Sequence, residues 1–167
     1  MRGVVGALCG AITAALVLID AAHLFPYAWL PTDEEPARLL FALKWLIVPG
    51  ICLLVGVHGA ARRGFFAEAI DGTRTPASHS LEINLRYNQN TLEQLVLAAI
   101  AWTGLAIVAP IAQLMLIPAM ATLFGIGRVA FWVGYLITPI DRAFGMVLTA
   151  LPTLGTLLWL VWHYTIG

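Results

Sequence analysis

Five long apolar runs, separated by short polar stretches, dominate the chain. A helix needs about 20 apolar residues to cross the hydrocarbon core of a bilayer. Residues 3–25, 39–60, about 81–109, about 111–137 and about 143–162 each have that length and predict membrane-spanning helices. Asp20 interrupts only the end of the first run, while Pro49, Pro110 and Pro118 predict kinks or boundaries. Arg2 ahead of an apolar run also resembles the front of a secretion signal. The run is long and no small-x-small cleavage site follows it, so a retained helix is expected. The connections differ in charge. The loop 31-PTDEEPAR-38 is mostly acidic, whereas 61–86 carries Arg62, Arg63, Arg74 and Arg86. The positive-inside rule places 61–86, Arg2 and the turn near 138–142 in the cytoplasm, and 31–38 and the C-terminus outside.

Composition agrees. The 167 residues are 60% hydrophobic and only 11% charged, with nine basic against nine acidic side chains; the mean hydropathy is +0.88. That apolar excess does not suit a water-facing surface. The zero net charge implies no acidic or basic partner, and no basic, aromatic-interleaved surface suggests nucleic acid. Cys9 and Cys52 lie in apolar runs and read as packing residues rather than a disulfide. His58, His79 and His163 lack metal-ligand spacing. The pair Asp20 and His23 reads as an interfacial hydrogen bond, Lys44 as a snorkelling cation, and Pro49-Gly50 as a static kink.

The informative residues are the polar ones inside the runs. In 85-LRYNQNTLEQLVLAAIAW-102, Arg86, Asn90 and Glu93 are spaced i, i+4, i+7 on one helix face. Charges in a span usually face a bundle interior or a water-filled cavity. Spacing alone leaves two alternatives open: a ligand site, or an interhelical ion pair or hydrogen-bond clamp. In 127-GRVAFWVGYLITPIDRAFGM-146, Arg128, Tyr135 and Arg142 stand seven residues apart, and Arg128 and Tyr135 share a face. Thr138, Pro139 and Asp141 read as N-cap, N1 and N3 of the last helix, which places Arg142 in its first turn. A cation there opposes the helix dipole and makes sense beside an anion. Snorkelling accounts for Arg142 as well, but poorly for Arg128, about 14 Å below the end of its helix. Together these side chains suit a small, multiply charged ligand. Arginines would bind carboxylates, Glu93 an ammonium, and a further arginine a thiolate. Glutathione, with two carboxylates, an ammonium and a thiol, fits this inventory.

With those residues in view, the chain resembles the MAPEG family, the membrane-associated proteins in eicosanoid and glutathione metabolism. The family's Arg, Asn four on and Glu three further appear as 86-RYNQNTLE-93. The segment 61-ARRGF-65 resembles its basic cytosolic loop, and Arg128, 134-GY-135 and Arg142 match its Arg, Gly-Tyr and Arg at seven-residue steps. The resemblance covers about residues 37–165. It implies an all-α, integral membrane helical bundle: a four-helix unit over 37–167, with residues 1–36 as an additional N-terminal transmembrane helix and outer loop. It also implies a homotrimer binding glutathione between subunits on the cytosolic side. Arg86, Asn90, Glu93, Arg128 and Tyr135 match glutathione-contacting positions. Arg142 matches the arginine that activates the thiol in some members, and Arg62 or Arg63 corresponds to a further ligand arginine. The chain departs from the pattern at Phe131, where some members have tyrosine, at Asn88, where some have His or Gln, and at Gln94, where the leukotriene-forming branch has tyrosine.

The expected function is therefore a glutathione-dependent membrane transferase or peroxidase acting on lipophilic electrophiles, with glutathione as co-substrate and no metal. Its partners would be membrane lipids and a lipophilic substrate, admitted beside Trp102, Phe131 and Trp132 unless those aromatics only pack. The overall character is that of a bacterial inner-membrane protein with its site facing the cytoplasm. The alternative is a non-catalytic membrane protein that binds lipid or uses the polar cluster for helix packing.

Overall fold

A computed structural model describes residues 1–65, 70 and 78–167. It contains helices α1 (Arg2–Ile19), α2 (Ala21–Leu24), α3 (Glu35–Trp45), α4 (Ile47–Ala61), α5 (His79–Val108), α6 (Leu116–Ile137) and α7 (Ala143–Thr165). Helices α3 and α4 continue one another through Leu46, whose N–H is shared between the Ala42 and Leu43 carbonyls at 3.3 and 3.2 Å. The described residues thus provide five spans of sufficient length and apolarity to cross a bilayer, as the five apolar runs predict. Large apolar side chains such as Val4, Leu8, Ile12, Leu54 and Val129 point outward. Such a surface suits lipid rather than water.

Local signals explain the helix ends. Ser78 caps α5 by accepting the Leu81 N–H at 3.2 Å. At the other end of α5, Pro110 has no N–H with which to bond the Ala106 carbonyl. Arg38 replaces it: Nε donates to Ala106 O at 2.7 Å, and a second arm reaches Ala109 O. Its third contact is Asp33, at 2.8 Å. A cation at a helix C-terminus also complements the helix dipole, so the one basic residue of the acidic loop has a structural post.

The expected cap of the last helix is corrected. Thr138 is the extended C-cap of α6, residues 139–142 form turns, and α7 begins at Ala143 with Arg142 in the N-cap position. The physical reason lies at Gly134. A Cβ there would come within 2.5 Å of Asp141 O and 2.9 Å of Arg142 N. The turn folds back onto α6 through that gap, and the reversal consumes the residues that would otherwise open the helix.

Helix α6 is the most buried span and packs against α7, α4, α5 and α1. Its backbone meets that of α7 where Gly127 faces Gly145. A Cβ on Gly145 would lie 2.3 Å from both Gly127 O and Phe131 N. Lipid tails are as apolar as leucine, so association inside a bilayer relies on such close small-residue contacts. Helix α1 lies along α7, and Gly3 approaches Ile140. The start of α1 and the 138–142 turn therefore share one end of the bundle. Arg38 and the end of α5 mark the opposite end. This alternation is the one that the charges of the loops predict.

Two expectations follow. Arg38→Met should orphan the Ala106 carbonyl and lower stability by about 1–3 kcal/mol, read as a lower thermal midpoint in detergent. Gly145→Ala should separate α6 from α7 and abolish the folded, monodisperse protein on size exclusion.

Candidate functional site

A cleft of about 530 Å³ opens at the end shared by α1 and the 138–142 turn. Arg86, Gln89, Asn90 and Glu93 enter it from α5, Phe131 from α6, and Arg142 and Met146 from the turn and α7. The i, i+4, i+7 row of α5 thus does face one cavity, and Arg142 joins it from a different helix junction.

The acid and base of α5 are not paired with each other. Arg86 Nη2 is 4.0 Å from Glu82, and both side chains are largely exposed. Glu93 accepts a hydrogen bond from Gln89 Nε2 at 2.8 Å. At this separation, in the open, the Arg86–Glu82 contact is worth little. Among the described residues, neither Arg86 nor Glu93 is held by a close ion pair.

Arg128 lies behind the cleft rather than in its lining. It is fully buried. Nη1 donates to Asn90 Oδ1 at 2.7 Å and Nη2 to Thr149 Oγ1 at 2.5 Å. Its guanidinium rests on the Phe131 ring at 4.7 Å and near Phe124 at 5.7 Å, and its Nε has no hydrogen-bond partner. No carboxylate of the described residues is within salt-bridge distance of it. One arm fixes the amide of Asn90, whose carbonyl oxygen is thereby occupied and whose N–H₂ remains free to donate.

Tyr135 is likewise outside the lining. The Arg142 guanidinium sits 4.7 Å from its ring centroid and 5.9 Å from that of Phe131. The two rings are themselves 5.9 Å apart. Aromatic faces hold a cation without supplying a counter-charge, and these two rings hold Arg142 beside the cleft. The Phe131 ring is a shelf shared by two guanidiniums.

The other sequence-level candidates fall elsewhere. Asn88 lies against Gly56 of α4 with its Oδ1 buried, and Gln94 is buried on α5; neither lines the cleft. Trp102 is fully buried in the core near the opposite end, so packing explains it. Trp132 lines a separate, mostly apolar groove of about 510 Å³ between α4, α5 and α6, where its indole N–H donates to Asn84 at 3.1 Å. Arg74 and the side chains of Arg62 and Arg63 lie outside the described residues. Thr149 is the residue that sequence reasoning missed. A hydroxyl in the middle of α7 was its only mark, because threonines on helices commonly bond their own backbone, as Thr149 also does.

A bundle of five apolar spans defines an integral membrane protein, and a charged cleft opens at one end of it. The family model described as "MAPEG family" matches residues 37–162, and the chain belongs to that family. Among characterised relatives it is similar to transmembrane protein 79 of Bos taurus, with 28% identity over 155 residues, covering 89% of this chain and 38% of that protein. Transmembrane protein 79 of Mus musculus is 26% identical over 159 residues, covering 91% of this chain and 40% of that protein. The chain thus spans less than half the length of these curated relatives. No solved structure shows a significant match.

The burial of Arg128 yields a stability test. Asn90→Leu and Thr149→Val should each orphan one guanidinium arm and cost about 1–3 kcal/mol. Asn90→Asp, which keeps the acceptor and adds a counter-charge, should retain the wild-type midpoint. Thermal denaturation of the three detergent-solubilised variants reads this directly.

Proposed function

We propose that the cleft binds glutathione and that the protein joins its glutathionyl group, through sulfur, to lipophilic electrophiles or uses glutathione to reduce lipid hydroperoxides. The observation that carries this reading is the convergence of Arg86, Glu93 and Arg142 on one cavity with no acid–base pairing between them. Membership of the MAPEG family supports it.

The residues divide the work by chemistry. Arg86 pairs with a glutathione carboxylate, Glu93 with its ammonium, and the Asn90 amide donates to a carbonyl or carboxylate. Arg142 lies beside the thiol. A free thiol has a pKa near 8.5, and a neighbouring cation in a poorly hydrated cleft favours the thiolate. The thiolate attacks an electrophilic carbon and an S–C bond forms; either the bond to a leaving group breaks and its electron pair departs with that group, or the π bond of an activated alkene breaks, its pair shifts onto the activating group and the adjacent carbon takes up a proton. With a hydroperoxide, two glutathiones are oxidised to the disulfide while the hydroperoxide becomes alcohol and water. Arg128 and Tyr135 act from behind, through Asn90 and Arg142.

A second reading has its own observation, and it is confined to the buried half of the cluster. The Asn90–Arg128–Thr149 contacts join α5, α6 and α7 as a clamp. The open half is the site. The exposed row Arg86, Gln89 and Glu93 on a membrane span requires cover. A homotrimer that buries this face of α5 provides it, with the arginine-rich end in the cytoplasm of an inner membrane.

Calorimetry with detergent-purified protein tests the reading, with thiolate absorbance followed in the same samples. Arg86→Ala should weaken glutathione binding by roughly ten- to a hundredfold, the worth of a charged hydrogen bond. Arg142→Ala should abolish the thiolate signal while binding persists. Absence of binding to folded wild-type protein at millimolar glutathione would sink the proposal.

A further inference from the structure

The family model begins at residue 37, so α1 lies wholly outside the matched region. Yet α1 reaches the cleft, because Gly3 is part of its lining. We propose that α1 is a working wall of this site: it holds the turn that presents Arg142 and closes that side of the cleft to lipid. The inference rests on the proposed use of Arg142.

The geometry of the turn carries it. Arg142 is the N-cap of α7, between Ile140 and Phe144, and both of those residues meet α1. A Cβ on Gly3 would lie 2.8 Å from Ile140 Cγ2. One on Gly10 would lie 2.7 Å from Phe144 O and 3.3 Å from Val147 Cβ. On the other side, the backbone N of Arg142 would stand 2.9 Å from a Cβ on Gly134. The backbone that carries Arg142 is therefore gripped between α6 and α1, at distances only glycine permits. Its guanidinium then has no rigid ionic anchor among the described residues, only the Tyr135 and Phe131 rings. A cation held by soft aromatic contacts owes its position to its backbone. Gly6 completes the seam with more room: a Cβ on it would stand at ordinary contact distance, 3.5 Å from Phe144 N and 3.9 Å from Ala143 Cβ. Ala143 also lines the cleft, so lifting α1 would uncover it.

The decisive substitution is Gly10→Leu, which cannot keep α1 on α7. Gly3→Ala is a milder version, and Gly50→Leu is the control, since nothing lies within 4 Å of a Cβ there. Two measurements are made on folded protein. The first is the pH profile of thiolate absorbance for bound glutathione. Gly10→Leu should move it about one unit toward that of the free thiol, roughly tenfold less thiolate at a given pH, with affinity changed less than about threefold. The second does not need glutathione. Ala143→Cys, in a background with Cys9 and Cys52 replaced by serine, is labelled with a lipid-partitioning maleimide. Labelling should be several-fold faster with Gly10→Leu than without it, intermediate with Gly3→Ala, and unchanged with Gly50→Leu. An unmoved thiolate profile in a Gly10→Leu protein that still binds glutathione would overturn the positioning role. Equal labelling rates would overturn the wall. If wild-type protein binds no glutathione, the proposed function fails, the positioning role fails with it, and the labelling rates still decide the wall.

Discussion

A single buried guanidinium organises the half of the bundle that holds the charged cleft. Arg128 is a cation placed about nine residues inside a membrane span, where an unsatisfied charge is expensive. It is tolerated because Asn90 and Thr149 accept two of its arms and two aromatic rings cover its faces. Those acceptors lie on α5 and α7, so the cost of leaving the cation unsatisfied becomes a reason for three helices to keep one arrangement. The first consequence is at Asn90. Its carbonyl oxygen is turned toward α6, and its side chain is held at the inner edge of the cleft.

Close backbone approach does the rest. Gly127 and Gly145 bring α6 and α7 together, and Gly134 admits the 138–142 turn onto α6. That geometry decides where the second important cation stands. Arg142 emerges at an N-cap facing the α5 row, supported by Tyr135 and Phe131 rather than by an acid. The cluster therefore separates physically into two parts. Arg128 spends its hydrogen bonds on structure, while Arg86, Glu93 and Arg142 face a cavity large enough for a ligand. Helix packing and an open polar face thus fall to different members of the same motif.

The extra N-terminal helix fits this division. It contributes Gly3 to the cleft lining and seats glycines against the residues that flank Arg142. The far end of the molecule follows similar rules. Arg38 takes the α5 carbonyl that Pro110 leaves unbonded, and an aromatic and aliphatic core closes over it.

Much of this was legible in the chain. The five runs of apolar residues determined the five spans, because a bilayer demands a fixed length of apolar helix. The i, i+4, i+7 spacing determined that Arg86, Asn90 and Glu93 share a face, because helix periodicity is a local property. The motifs pointed to the family. Tertiary structure decided what no local rule contains. It placed Arg128 and Tyr135 behind the cleft and turned Asn88 and Gln94 away from it. It buried Trp102, recruited Thr149 and drew α1 into the site. It also moved the N-cap of the last helix from Thr138 to Arg142, because the space left by Gly134 outweighed a capping sequence. Periodicity reports which way a side chain points from its own helix. What it meets there depends on neighbouring helices, and in a bilayer that is set by where small residues let backbones touch.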